Sequence, residues 1–216
     1  MLVLAFDTAT PAVTVALHDG AATIAGELVV DGRRHGELLA ASIEKVLADA
    51  GASRGDLTAV GVGTGPGPYT GLRAGLMTAR VLGSALDIPV HGVCTLDVLA
   101  AAAAGQAGHR EFIVATDARR REVYWARYDA AGERLDGPRV SSPELLPAGL
   151  PVAGEGPLRY RELAGRSIGP HYPAAGQLAQ IVAERIAAGT PVAPAEPLYL
   201  RKPDAREPGQ PKRVTP

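Results

Sequence analysis

Residues 2–30 read LVLAFDTATPAVTVALHDGAATIAGELVV, and this stretch decides the fold. Leu2 to Phe6 is a short apolar run closed by Asp7-Thr8-Ala9-Thr10-Pro11, a pattern that predicts a buried strand ending in a polar turn. Val13, Val15 and Leu17 alternate with Thr14 and Ala16, which predicts a second strand with two distinct faces. His18-Asp19-Gly20 supplies a hairpin turn, because Asp-Gly adopts positive φ at low cost, and Ile24, Leu28 and Val30 carry the return strand. Three strands in a meander therefore open the chain.

A helix is predicted next, from about His35 to Ala50, with Leu39, Ile43, Val46 and Leu47 at helical spacing and Gly51 placed to stop it. Ala59 to Val62 is too brief for a helix and suits a buried parallel strand. A Gly/Pro-rich turn at 63–71 leads into a second helix, roughly Thr70 to Leu86. Pro89 to Val93 reads as a strand, and Thr95 is expected to cap an alanine-rich helix, Leu96 to Ala104. The order βββαβαβα is that of an α/β, ribonuclease-H-like lobe with a mixed sheet, the repeating unit of the actin-like (ASKHA) two-lobe fold. Residues 1–104 are expected to form the first lobe and 105–202 a smaller second one. In the second, Phe112 to Thr116 and Glu122 to Asp129 read as strands. A late helix, about Ala174 to Ala188, is a candidate to pack back on the first lobe. Residues 203–216 read as a flexible tail.

Composition narrows the function classes. The 216 residues carry 22 basic and 23 acidic side chains, a net charge of −1, which excludes a freestanding basic nucleic-acid binder. The single cysteine, Cys94, allows no internal disulfide, so a reducing, cytoplasmic setting is expected. No run approaches the ~20 apolar residues that span a bilayer, so no membrane partner is expected, and residues 1–6 do not read as a leader. Fourteen of the 18 prolines fall at or after Pro138, so the chain changes texture part-way along.

Three places could carry chemistry. Asp7-Thr8-Ala9-Thr10 ends the first strand where actin-like ATPases hold phosphate. Ala9 stands where a glycine would let the backbone come close, so the turn reads either as a weak or vestigial nucleotide loop at Asp7, Thr8 and Thr10 or as an Asx turn closing a strand. The run Gly63-Thr64-Gly65-Pro66-Gly67-Pro68 is no P-loop, because two prolines delete donors and no Gly-Lys-Ser/Thr follows. Beyond it, Gly71, Gly75, Ala79 and Gly83 recur every four residues on one stripe of a helix. Each of those glycines costs about 1 kcal/mol against alanine, so a closely approaching backbone is expected along the stripe, from this chain or a second one. The third place is the turn Arg119-Arg120-Arg121, followed by Val123, Tyr124, Trp125 and Tyr128. It reads either as a solvated hairpin tip or as a phosphate-pairing, base-stacking surface. The five histidines are scattered with no pair at i,i+4, and no Gly-x-Ser-x-Gly elbow is present, so neither a metallopeptidase nor a serine hydrolase is expected.

These residues resemble the bacterial TsaB (YeaZ) family. The resemblance lies in Asp7-Thr8-Ala9-Thr10, His35-Gly36-Glu37-Leu38-Leu39, Gly65-Pro66-Gly67-Pro68-Tyr69-Thr70-Gly71-Leu72-Arg73, Asp117-Ala118-Arg119-Arg120 with Glu122-Val123-Tyr124, and Pro197-Leu198-Tyr199-Leu200-Arg201. The arginine-rich turn and proline-rich tail look actinobacterial. The resemblance implies a non-catalytic subunit in the formation of threonylcarbamoyladenosine in tRNA. Such a subunit dimerises with the catalytic, metal-holding paralogue TsaD through its first two helices, with the ATPase TsaE joining near the junction. It implies a partner face around Leu38, Leu39, Ser42, Gly71, Gly75, Leu76 and Ala79, a homodimer when the chain is alone, and tRNA met only through the complex, with Arg119, Arg120 and Arg121 as candidate contacts. No cofactor or metal is required of this chain by the resemblance, and weak ATP or ADP binding is left open. The alternative from another class is an actin-like ATPase or small-molecule kinase.

Overall fold

A computed structural model describes residues 1–191 and 194–201; the expected tail at 203–216 lies outside the described residues. Strand β1 (Val3–Asp7) is buried on both faces and occupies the centre of the first sheet. It pairs antiparallel with β2 (Ala12–His18) and parallel with β4 (Ala59–Gly63). β3 (Thr23–Val30) extends the meander at one edge, and β5 (Val90–Val93) lies parallel to β4 at the other, giving the order β3-β2-β1-β4-β5. A second sheet repeats this plan in shortened form. β6 (Phe112–Asp117), β7 (Val123–Tyr128) and β8 (Arg134–Ser141) form its meander, with the short β9 (Val152–Ala153) parallel to β6. The fold is the actin-like (ASKHA, ribonuclease-H-like) α/β arrangement with two mixed sheets.

Alternation along β1 divides the first core. Leu4 and Phe6 face helices α1 (His35–Asp49) and α2 (Tyr69–Leu86), packing with Leu39, Ile43, Val46, Leu72, Leu76 and Ala79. Val3 and Ala5 point the other way, against Leu178, Ala179 and Val182 of the late helix α6 (Ala175–Ala187). Helix α3 (Thr95–Ala103) sends Leu96, Leu99, Ala100 and Ala103 onto Phe112, Val114 and Tyr128 of the second sheet. Two one-turn helices, α4 (Gly156–Arg159) and α5 (Arg161–Ala164), follow β9, and Leu163 of α5 joins the core on that sheet's other face. The lobes thus exchange helices. A boundary at residue 104 divides the chain but not the packing, because α3 before it serves the second sheet and α6 after it serves the first.

Two local expectations are corrected. Thr95 is not a cap: Cys94 holds that position, and Thr95 begins the helix with its hydroxyl engaged elsewhere. The strands expected in the second lobe, Phe112 to Thr116 and Glu122 to Asp129, are followed by a third that was not expected, the eight-residue Arg134–Ser141. It lacks alternating apolar residues because it is an edge strand, half-exposed along most of its length.

Candidate functional site: the inter-lobe cleft and the outer face of two helices

The Asp7 turn is an internal knot. Asp7 is 0% exposed, and its Oδ1 accepts from the Ala9 N–H at 2.7 Å while Oδ2 accepts from the Thr95 hydroxyl at 2.6 Å. Burial pushes the Asp7 pKa above the ordinary carboxylate value, opposed by those two hydrogen bonds. Gly63 on the neighbouring strand is required, because a Cβ there would fall on the Asp7 carboxylate. The Thr8 hydroxyl donates to the Gly71 carbonyl at 2.7 Å, and Thr10 Oγ1 accepts from Ala12 N–H at 3.3 Å. Asp7, Thr8 and Thr10 therefore bond their own chain. This is the Asx-turn geometry, with the Asp7 carboxylate fully buried.

The stripe of small residues also turns inward. A Cβ on Gly71 would meet the Thr8 carbonyl at 2.5 Å, and one on Gly75 the Thr8 hydroxyl at 2.5 Å. A Cβ on Gly83 would strike Val90. The closely approaching partner is the protein's own β1 turn and β5. Of the residues expected at a partner face, Leu39, Ser42, Gly71, Gly75, Leu76 and Ala79 are all buried in the lobe, and only Leu38 is half-exposed. Gly71 and Gly75 lie against the Thr8 turn, and Leu39, Leu76 and Ala79 pack in the core of the first lobe. The opposite faces of the same two helices are open. Ala40, Ala41, Glu44, Lys45 and Ala48 line α1, and Arg73, Met77, Arg80, Val81 and Ser84 line α2. Met77 is 54% and Val81 61% exposed, four residues apart on one helical stripe. Sequence reading missed both because the glycine periodicity drew attention to the other side of the helix.

A strap crosses the cleft between the lobes. Leu198 N–H donates to the Thr64 carbonyl at 2.9 Å, beyond the end of β4. Tyr199 stacks on Tyr69 with ring centroids 5.4 Å apart, and the Arg73 guanidinium lies 3.8 Å from the Tyr69 centroid. Arg80 donates to the Ala195 carbonyl at 2.9 Å. At the far end Arg201 reaches the second lobe, donating to the Ala118 carbonyl at 3.2 Å and pairing with Glu122. The chain itself thus runs past the carboxyl ends of β1 and β4, where open α/β sheets receive ligands.

The arginine turn joins β6 to β7. Arg119, Arg120 and Arg121 all take left-handed backbone, with φ of 63°, 55° and 60°. Such a run costs about 1–2 kcal/mol per residue for side chains with a Cβ. Asp117 anchors it, accepting from Arg119 N–H and from the Tyr160 hydroxyl, both at 2.8 Å. All three arginines are exposed, but two of the aromatic residues behind them, Trp125 and Tyr128, do not form a stacking surface. Tyr128 is buried against Phe112, and Trp125 is buried with its indole N–H donating to Ser141. Strand pairing, which turns those rings into the core, separates the phosphate-pairing part of that expectation from the stacking part.

Among the described residues no group of three His, Cys, Asp or Glu side chains could hold a metal, and no helix is long and apolar enough to cross a membrane. Burial pushes the Cys94 thiol up to about 12, so it offers no thiolate at neutral pH.

The comparisons with known proteins agree with this architecture. The family model described as TsaD, tRNA N6-adenosine threonylcarbamoyltransferase, matches residues 29–205. An uncharacterized protein of Mycobacterium tuberculosis is 46% identical over 209 residues, covering 94% of this chain and 93% of the relative. The tRNA threonylcarbamoyladenosine biosynthesis protein TsaB of Escherichia coli is 33% identical over 224 residues, covering 93% and 95%. Among solved structures, YeaZ from Pseudomonas aeruginosa superposes with a TM-score of 0.77 at 29% identity, covering 92% of this chain and 99% of that one.

Proposed function

The chain belongs to the TsaB (YeaZ) family, and from that premise we propose that it is a non-catalytic scaffold subunit for tRNA threonylcarbamoyladenosine formation. It dimerises with the catalytic paralogue TsaD and helps recruit TsaE, so that threonylcarbamoyl is transferred to the adenosine 3′ of the anticodon in ANN-decoding tRNAs. The observation that carries this reading is the outer face of α1 and α2. Small and apolar side chains, with Met77 and Val81 at its centre, lie exposed there while Leu72 and Leu76 of α2's inner face are buried. An exposed apolar stripe rimmed by Glu44, Lys45, Arg73 and Arg80 has the make-up of a helix-to-helix docking surface. The partner face moves, relative to the sequence expectation, from the glycine stripe to the opposite side of the same helices. Alone, the chain is expected to pair with a second copy through this face.

The internal bonding of Asp7, Thr8 and Thr10 supports a scaffold over an actin-like ATPase or kinase. The exposed arginines at 119–121 are consistent with tRNA being met within the assembled complex. Co-expression with the TsaD homologue, followed by a threonylcarbamoyl-transfer assay with and without this chain, tests the proposal. Co-purification and dependence of transfer on this chain are expected. Transfer by TsaD and TsaE at an undiminished rate without it would refute the scaffold role.

A further inference from the structure

The edge of a sheet presents unpaired backbone donors and acceptors, and folded proteins blunt such edges with prolines, charges, bulges or a covering segment. Three of the four sheet edges here are blunted. β5 is four residues long, starts after Pro89, and has Pro194 and Ala195 against Gly92. β8 contains Pro138, carries Arg134, Asp136 and Arg139, and shifts register twice against β7. β9 is two residues long and bridges to Ser167. β3 differs. Its eight residues include no proline, lysine or arginine, and its one register shift lies at the Thr23 end.

One bond settles which groups of β3 face outward. Asp31 N–H donates to the Pro11 carbonyl at 3.0 Å, one step beyond the Ala12–Val30 pair. Alternation along an antiparallel pair then turns the backbone groups of Ala25, Glu27 and Val29 toward β2, and those of Gly26, Leu28 and Val30 outward. The side chains of Leu28 and Val30 share the sheet face that carries α6, since Gly26 lies opposite Ala16 and Ala16 opposite Ala5. Leu28 and Val30 are exposed. Beside them is a groove of about 240 Å³ lined by Thr14, Leu28 and Gly176, and the buried Thr14 hydroxyl has no hydrogen-bond partner among the described residues. This surface is short of partners in both backbone and side chain.

We propose that β3 pairs antiparallel with β3 of a second copy, joining two five-stranded sheets across a two-fold axis. Charge selects the register. Centred on Glu27, the pairing would set carboxylate against carboxylate. Centred on Leu28, it sets Leu28 against Leu28, Val30 against Gly26 and Glu27 against Val29, so no acid opposes an acid. The outward groups of Gly26, Leu28 and Val30 then meet their counterparts, and the register shift near Thr23 stays outside the pairing. Lys45 of α1 lies within electrostatic reach of Glu27 in its own copy, so each acid brings its counter-charge with it. The pairing strand shares no residue with the outer face of α1 and α2, and the inference does not rest on the scaffold reading.

A strand-to-strand contact is small as interfaces go, so weak association is expected. Sedimentation equilibrium on the full chain tests it in a Met77→Glu, Val81→Glu background, which removes pairing through the helix face. A concentration-dependent dimer is expected. Leu28→Lys and Val30→Lys, both at exposed positions, should each weaken it by about tenfold or more and leave the melting temperature unchanged. Hydrogen exchange reads the backbone directly, and the amides of Gly26, Leu28 and Val30 should slow as concentration rises. A monomer at millimolar concentration overturns the proposal. So does a dimer indifferent to both lysine variants, or one in which those three amides still exchange freely. Slowing of the amides by the TsaD homologue in place of a second copy would assign the edge to that protein and overturn it too. Leu28→Lys with an intact helix face is expected to co-purify with the TsaD homologue, so a failed β3 pairing and a failed scaffold role are told apart.

Discussion

The Thr95 hydroxyl donates to the buried Asp7 carboxylate at 2.6 Å, tying the first residue of α3 to the last residue of β1. The same hydroxyl accepts from the Gly65 N–H at 3.1 Å, and Thr95 N–H returns to the Gly65 carbonyl at 2.8 Å. One side chain therefore connects the opening strand, the glycine-proline loop and the helix that serves the second sheet. Thr95→Val keeps the shape but leaves a buried carboxylate short of a donor and an amide without its acceptor. A loss of roughly 2–3 kcal/mol is expected from urea unfolding. A loss near zero would mean that the knot is not a stabilising element.

Gly75 makes a contrasting prediction. A Cβ there would sit 2.5 Å from the Thr8 hydroxyl. Gly75→Ala should destabilise the isolated chain by about 1–3 kcal/mol through overpacking. Gly75→Leu should fail to fold, whatever partner is present. If Gly75→Leu kept the wild-type melting temperature, the stripe would not be packed against the β1 turn.

Glu155 predicts a pH dependence. It is 2% exposed, and Oε1 accepts from Asp117 N–H at 3.3 Å while Oε2 forms no hydrogen bond among the described residues. Burial raises its pKa above the ordinary 4.5, with the neighbouring Asp117 carboxylate adding to the rise and Arg159, 3.7 Å away, opposing it. A carboxyl with a raised folded pKa contributes stability that is fully present below about pH 4.5 and lost as pH rises through the folded value. Glu155→Gln should flatten that decline and be more stable than wild type near pH 7. Urea midpoints from pH 4.5 to 8 check it; parallel curves for the two proteins would contradict it.

Arg201 holds the far end of the strap through the Ala118 carbonyl and Glu122. Arg201→Ala should leave the global fold in place, because the pair is partly exposed and contributes about 1 kcal/mol. Hydrogen exchange should accelerate at Leu198 and in the 118–122 turn, with the first sheet's core unchanged. Unchanged protection in the turn would mean that the strap does not restrain it.

The opening meander and the order of the next five elements were legible because a short apolar run at Leu2 to Phe6 is followed by two alternating segments and the loops carry Gly, Pro or Asp-Gly at their turns. β8 was not, since an edge strand containing Asp136, Gly137 and Pro138 has no apolar rhythm to read. The four-residue spacing of Gly71, Gly75, Ala79 and Gly83 announced close packing without saying against what, and the answer was the chain's own turn. The strap and the arginine turn were invisible for a different reason. They arise from residues more than 100 positions apart, such as Arg73 and Tyr199, and from a left-handed run of arginines that no residue preference foretells. Periodicity reports which face of a helix is distinctive, and only the packed fold reports whether that face looks in or out.

The docking face is the centre of this account, and Met77 and Val81 test it most directly. Both are exposed, so Met77→Glu with Val81→Glu should leave the melting temperature of the isolated chain within a few degrees of wild type. Size-exclusion chromatography of this double variant mixed with the TsaD homologue should show two separate species where the wild type gives one complex. Co-elution of the double variant as a complex of wild-type size and stability would contradict the assignment of this face.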